Sequence, residues 1–189
     1  MPGPQGELAR NTLRELALEQ NGLVSRRQAI HDLSVHPDAV KALVARGRLL
    51  KVAPGIYRYP HLPGIEYESL QVALLRTGDP TAALSHETAL ALYELSDVNP
   101  SLYHVTVPVA RRSRRADDHR YVTHVQTLTD VQVTWWNMMR AVTPAVAVEQ
   151  CIAYGTPTYL LQQAIEQGAR SGDIRRTDVT RLTHILETR

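Results

Sequence analysis

Ser85, His86 and Glu87 stand next to one another, and they are the three residue types of a nucleophile–base–acid relay. Such a relay requires the three side chains to converge on one point. Consecutive residues of a helix point in different directions, so these three cannot form a relay among themselves. The sequence favours a structural interpretation, in which Ser85 caps a helix and Glu87 lies in its first turn.

Other catalytic and cofactor-binding patterns are missing from the sequence. Zinc sites need cysteine and histidine clustered at short spacings, which one cysteine and scattered histidines do not provide. The glycines fall at turns rather than in a phosphate-binding loop. A restriction-like nuclease needs a carboxylate pair and normally a lysine, but no lysine follows Lys51. We therefore expect no enzymatic activity, no metal and no cofactor.

Positive charge is concentrated in the first third of the chain. Residues 1–60 carry nine lysines and arginines against five acidic residues, a net charge of +4. The whole chain has a net charge of +2, so the remainder carries −2. That remainder still contains a basic segment, formed by Arg111, Arg112, Arg114 and Arg115. The distribution indicates an anionic partner at two places, although the second segment is equally compatible with a solubilising loop.

Three helices are predicted at the start of the chain. Apolar residues recur at three- and four-residue spacing over residues 6–20, which predicts an amphipathic helix. Ser25 followed by Gln28 forms a capping box and begins a short second helix. Pro37 suits the first position of a third helix, where its missing N–H has no cost, and Gly47 ends that helix.

A hairpin is predicted to follow these helices, because two β-prone segments flank Pro54 and Gly55. Three helices and a basic hairpin describe a winged helix-turn-helix domain over residues 1–62. In such a domain the third helix enters the major groove and the hairpin contacts phosphates. The predicted DNA-binding residues are Arg26, Arg27, His36, Lys41, Arg46, Arg48, Lys51, Tyr57 and Arg58.

Residues 63–189 are predicted to form a second, α+β domain, after a boundary marked by proline and glycine at 61–64. Two helices come first, and segments of alternating apolar residues at 103–109 and 131–135 then indicate a small antiparallel sheet. A weaker strand is predicted at 120–126, which would place the basic segment in a hairpin loop. Three further helices complete the domain.

Several segments resemble AbiEi-type antitoxins of type IV toxin–antitoxin systems. The most specific are residues 23–29, 40–49 and 52–58, and looser similarity extends to 85–90 and 142–145. The resemblance implies an N-terminal domain that binds inverted repeats in the promoter of its own operon and represses it. It also implies a second domain that opposes a co-encoded nucleotidyltransferase-like toxin, with direct contact between the two proteins left open.

Two other functions remain possible at this stage. The chain could be a stand-alone transcription regulator whose second domain senses a ligand or mediates dimerisation. The winged helix could instead be a protein-docking platform with no affinity for DNA. Because the chain lacks both an apolar run of about eighteen residues and a signal peptide, we expect a cytoplasmic protein that does not bind membranes.

Overall fold

The computed structural model describes residues 4–109 and 118–189, with only the backbone described at 4–9, 65 and 118. The chain divides into two compact units, the first ending at Pro80 and the second beginning at Thr81. Within the described residues, no helix is both long and apolar enough to span a bilayer.

The part of the first unit that the structure describes contains five helical segments. They are α1 (Pro4–Leu18), a short π-helical segment (Gln28–Asp32), α2 (Pro37–Ala45), a 3-10 turn (Ile65–Tyr67) and α3 (Glu68–Thr77). Of these, α1 and α2 begin and end close to the positions predicted for the first and third helices. The capping box is confirmed, because the Gln28 N–H donates to Ser25 Oγ at 3.1 Å and the Ser25 N–H donates to Gln28 Oε1 at 3.0 Å. Pro37 stands at the start of α2, as predicted.

A three-stranded antiparallel sheet completes the winged helix. Its strands are β1 (Leu23–Ser25), β2 (Leu50–Ala53) and β3 (Ile56–Arg58), in the order β1-β3-β2. The predicted hairpin is confirmed as β2–β3, and its turn contains Gly55 at a φ of 73°. One face of the sheet joins the helices around a core that includes Leu13, Val24, Val40, Leu43 and Leu49.

The opposite face of this sheet is covered by α3, which packs on β1 and β3. Leu23 and Arg58 are paired across the strands and both are buried. An Asn21 side-chain hydrogen bond to Gln71 (3.3 Å) further fixes α3 to the turn before β1. The first compact unit therefore extends past the boundary expected at residue 62, because α3 packs on this face of its sheet.

The second unit has five strands and four helices among its described residues. The strands are β4 (Ala83–Leu84), β5 (Tyr103–Val107), β6 (Tyr121–Val125), β7 (Val133–Trp136) and β8 (Met139–Val142). The α-helices are α4 (His86–Leu92), α5 (Pro144–Tyr154), α6 (Thr158–Ser171) and α7 (Arg176–Glu187), with 3-10 turns at Asp118–Arg120 and Asp130–Gln132. Apart from α4, which lies between β4 and β5, the strands precede the helices along the chain, and this order confirms the α+β class.

The sheet of the second unit is mixed, whereas the sequence predicted an antiparallel one. Its order is β6-β5-β4-β8-β7, and β5 pairs with β6 in parallel, as β4 does with β8. A parallel pair cannot be joined by a tight hairpin and needs a long connection. The strands β5 and β6 therefore do not form the hairpin that the sequence predicted, and the basic segment between them lies outside the described residues.

The helices of the second unit enclose an apolar core. Its fully buried members include Leu90, Ala147, Cys151, Leu161 and Leu182. Cys151 is the small buried residue expected from its apolar surroundings, and burial raises the pKa of its thiol to about 12. The thiol therefore stays protonated and unreactive at neutral pH.

Candidate nucleic-acid interface

A group of polar side chains surrounds the start of α2, and we call Arg26, His36, Asp38 and Lys41 the α2-start surface. Arg26 is half-buried and the other three are exposed. The Arg26 N–H donates to the Gly55 carbonyl oxygen at 2.7 Å, which ties this surface to the hairpin turn. The pKa of Asp38 is lowered by the hydrogen bond and charge of Lys41 and, less strongly, by the charges of His36 and Arg26. The structure thus brings three predicted DNA-binding residues together beside the hairpin.

Asp38 and Lys41 form an ion pair on this surface, with 2.9 Å between Lys41 Nζ and Asp38 Oδ1. Both side chains are about 70% exposed (68% and 70%), so water weakens their attraction. Such an exposed pair contributes little to stability, and a phosphate group can replace the carboxylate as the partner of Lys41. The pair therefore leaves Lys41 available to a stronger anionic partner.

The outer face of α2 carries small side chains, as predicted. Ala45 is exposed and Ala42 is half-buried, while Val40 and Leu43 are buried against the core. Arg46 stands at the C-terminal end of the helix with an exposed side chain. A helix that approaches base edges closely needs small residues along its contact line and long polar residues at its flanks.

Two of the residues predicted to contact DNA from the hairpin are accessible to solvent, and a third is buried. Lys51 is exposed and faces the half-buried Tyr57 across the two strands. Arg58 lies on the opposite face of the sheet, under α3, and its Nε donates to Glu68 at 2.7 Å. Only 10% of the Arg58 side chain is exposed, so the prediction that it contacts DNA is corrected. Successive side chains of a strand point to opposite faces of the sheet, so Tyr57 and Arg58 lie on different faces.

Arg48 belongs to a second basic group that the sequence analysis missed. Together with Arg10, Arg14 and His61 it lines a cavity of about 440 Å³ whose wall includes Tyr59. The Tyr59 hydroxyl donates to the Arg10 carbonyl oxygen at 2.9 Å. Burial raises the pKa of Tyr59 to about 12, against the opposing influence of both α1 arginines. The four-residue spacing of Arg10 and Arg14 on one helix face was the available signal.

Arg27 is exposed next to Arg26 and precedes the π-helical segment, so it is accessible to a phosphate. Arg111, Arg112, Arg114 and Arg115 lie outside the described residues, and their proposed role stays a prediction.

In the second unit, the side chains of Ser85, His86 and Glu87 do not form a catalytic relay. Ser85 stands at the N-cap position of α4, and its Oγ lies 3.0 Å from His86 Nδ1. Glu87 instead accepts a hydrogen bond from Thr156 Oγ1 at 2.8 Å. Burial, together with the neighbouring histidines, lowers the pKa of His86 to about 3, which makes it a weak base at neutral pH. The arrangement therefore does not support acyl-transfer chemistry.

His86, His104 and His124 come together in the second unit, although they are far apart in sequence. One ring nitrogen from each lies within 4.8 Å of the other two, so these residues could hold a metal ion. In the sequence the histidines are scattered, and no metal site is predicted from them. No local spacing could have revealed this cluster, because each member comes from a different helix or strand.

Residues 11–60 match the model of a family described as "Transcriptional regulator, AbiEi antitoxin". The family recognised from the sequence is therefore confirmed over these residues, which include α2 and the hairpin. A comparison with curated proteins found no match. Among solved structures, the chain is similar to the RV2827C protein from Mycobacterium tuberculosis, with a TM-score of 0.48 and 15% identity. That similarity covers 95% of this chain and 76% of the other.

Proposed function

We propose that this protein is an antitoxin that represses its own operon. Its winged helix binds inverted repeats in the promoter, and its second unit counteracts a co-encoded nucleotidyltransferase-like toxin. The observation that carries the DNA-binding half is the α2-start surface, where the Arg26 backbone is hydrogen-bonded to the hairpin turn and the Arg26 charge acts on Asp38 at the start of α2. This surface lies within the residues that match a family of transcriptional regulators.

In the proposed complex, α2 lies in the major groove. Its small outer residues allow close approach. Lys41, at the middle of the helix, and Arg46, at its C-terminal end, reach base edges or phosphates. Arg26 and Arg27 neutralise phosphates beside the groove. Lys51 and Tyr57 act from the hairpin, whereas Arg58 supports the hairpin from behind through Glu68.

Binding also requires the Asp38–Lys41 pair to open. Once Lys41 turns to a phosphate, Asp38 loses its main partner and must face water or accept a hydrogen bond from a base, for which a cytosine amino group is suited. The charge of Arg26 near Asp38 limits the repulsion between this carboxylate and the DNA backbone. Asp38 therefore favours specific over non-specific contact in this proposal.

The decisive experiment is an electrophoretic mobility shift on the DNA upstream of the gene, with scrambled DNA as competitor. The triple variant Arg26→Ala/Arg27→Ala/Arg46→Ala should lose the specific shift, because it removes three phosphate or base contacts. A matched control is Arg170→Ala/Arg175→Ala/Arg176→Ala, which removes the same charge from exposed positions of the second unit. The control should bind like the unmodified chain.

Either of two results would refute the DNA-binding half. One is the absence of any shift even at low salt, which would leave the winged helix as a protein-docking platform. The other is an equal loss of binding in both triple variants, which would show that net charge alone controls affinity.

The antitoxin half is tested separately by co-expression with the neighbouring toxin gene. Growth should be restored by the unmodified chain and also by the Arg26/Arg27/Arg46 variant, because the proposed antitoxic activity belongs to the second unit. Repression of the promoter without any rescue of growth would instead identify a stand-alone transcription regulator.

A further inference from the structure

The three clustered histidines occupy one face of the sheet edge in the second unit. His104 lies on β5, and His124 lies on the parallel neighbour β6, where it pairs with Thr106. His104 and Thr106 are two residues apart on β5 and therefore point to the same face of the sheet. Because Thr106 is the partner of His124, both histidine rings project from that face. His86 begins α4 and stacks on His124 with 3.5 Å between ring centroids.

One nitrogen atom of each ring lies close to nitrogen atoms of the other two rings. His104 Nδ1 and His124 Nε2 are 3.0 Å apart, and the ligating nitrogens of all three rings fall within 4.8 Å. We infer that His86, His104 and His124 form a binding site for one divalent transition-metal ion of the zinc type. Imidazole nitrogen is a donor that zinc, copper, nickel and iron all accept.

Packing holds the three rings in position. His86 and His104 are only 7% and 2% exposed, and Tyr154 covers the cluster by contacting all three rings edge-on. A metal site benefits from ligands that their surroundings keep in place.

Two neighbouring groups support a metal ion at this place. Ser85 Oγ lies 3.0 Å from His86 Nδ1, which leaves the other ring nitrogen of His86 as its ligand atom. Histidine ligands of metals are usually held by such a partner. Glu87 contributes a negative charge that acts on His104, and this charge favours a positive ion over an anion.

Binding requires a small, defined rearrangement. Tetrahedral zinc with bonds of 2.0–2.1 Å separates its ligand nitrogens by about 3.3 Å, so the 3.0 Å gap between His104 and His124 must widen slightly. The His86 ring lies nearly parallel to His124, at 15°, and its lone pair is in the ring plane. His86 must therefore turn about its Cβ–Cγ bond to aim at the same ion.

The bound ion would hold an exposed edge of the second unit in place. β6 is the terminal strand of the sheet and pairs only with β5 among the described strands. An ion shared by His104, His124 and His86 connects β6 to β5 and to the start of α4. Metal binding should therefore raise the melting temperature and slow amide exchange in β6.

Zinc titration of the full chain, after removal of metal by a chelator, tests the inference by calorimetry. We expect one zinc ion per chain and an increase in melting temperature. His124→Gln should weaken zinc binding by more than about 100-fold, because even loss of an outer-shell partner costs 10- to 100-fold. His184→Gln is the matched control, since it removes an exposed histidine from the same unit and should bind zinc normally.

A second measurement avoids dependence on the folding of a variant. X-ray absorption of the zinc-loaded unmodified chain should show imidazole nitrogens from three ligands at about 2.0–2.1 Å. The inference is overturned if no ion binds, if His184→Gln weakens binding as much as His124→Gln, or if the spectrum shows fewer than three imidazoles. In any of these cases the histidines serve as a packed, hydrogen-bonded cluster.

Discussion

The two units place their polar chemistry in opposite environments. In the first unit, Arg26, Arg27 and Lys41 are accessible and lie within a short stretch of sequence. In the second unit, the histidines are largely buried and come from three separate elements. A surface that binds a polyanion must remain solvated until its partner arrives, whereas a metal site needs ligands that packing holds in position. The first kind of site can be recognised from residues close together in the sequence, whereas the second kind can be recognised only from the fold.

Arg58 breaks this division, because it is a buried charge within the basic unit. Its partner is Glu68, whose side chain is 33% exposed. Replacing Glu68 by Gln leaves the guanidinium buried without a countercharge, and we expect a loss of about 3 kcal/mol in unfolding free energy. Arg58→Met removes the charge with little change in volume and should cost less than about 1.5 kcal/mol.

Urea denaturation of both variants measures this difference, and a mobility shift checks DNA affinity. Arg58→Met should bind the promoter normally once it is folded. If Arg58→Met is stable but no longer binds DNA, Arg58 belongs to the DNA interface. The contrast between accessible polar residues in the first unit and buried ones in the second would then have no exception.

Gly64 tests whether the expected linker is packed. Its φ is 103°, and a Cβ there would lie 2.8 Å from Asn21 Cα and 2.9 Å from the Asn21 carbonyl oxygen. Gly64→Ala should therefore destabilise the first unit by about 2 kcal/mol. Gly47 is the control, since its φ is 65° and nothing lies within 4 Å of the added Cβ. Gly47→Ala should cost about 1 kcal/mol. Equal melting temperatures for the two variants would mean that residues 61–64 behave as a free linker.

Alkaline unfolding compares the two units through one tyrosine in each, the buried Tyr59 and the half-buried Tyr93. Burial raises the pKa of both Tyr59 and Tyr93 from 10.0 to about 12. Between these values the unfolded chain releases a proton that the native chain retains, so stability is lost as the pH rises from 10 to 12. Tyr59→Phe and Tyr93→Phe should each reduce this loss, by up to about 1.4 kcal/mol per pH unit.

The measurement is the unfolding free energy of each variant and of the unmodified chain across that pH range. Parallel curves for all three proteins would show that neither hydroxyl resists ionisation. A change in only one variant would assign the alkaline sensitivity to a single unit.

The smallest expected effect comes from Arg27, which is exposed. Arg27→Ala should leave the melting temperature unchanged, weaken binding to all DNA sequences and reduce the slope of log affinity against log salt by about one unit. Arg175→Ala in the second unit should leave the slope unchanged. Identical salt series for Arg27→Ala and the unmodified chain would exclude a phosphate contact at this position.

Local signals allowed much of the first unit to be predicted. The Ser25–Gln28 capping box, Pro37 at the start of α2 and the turn at Gly55 all depend on residues within a few positions of one another. Their geometry is determined by backbone dihedral angles and short-range hydrogen bonds. The match at residues 11–60 confirms the family that these motifs suggested.

Which polar residues are buried, and which strands pair in parallel, depends on long-range packing and cannot be read from the sequence. Arg58 is buried because α3 covers its face of the sheet, and a strand pattern of period two cannot say what lies against each face. The parallel pairing of β5 with β6 brings His104 beside His124, and the fold adds His86 from α4. Sequence spacing carries no information about such convergence, because long-range packing sets the distance between residues of different elements.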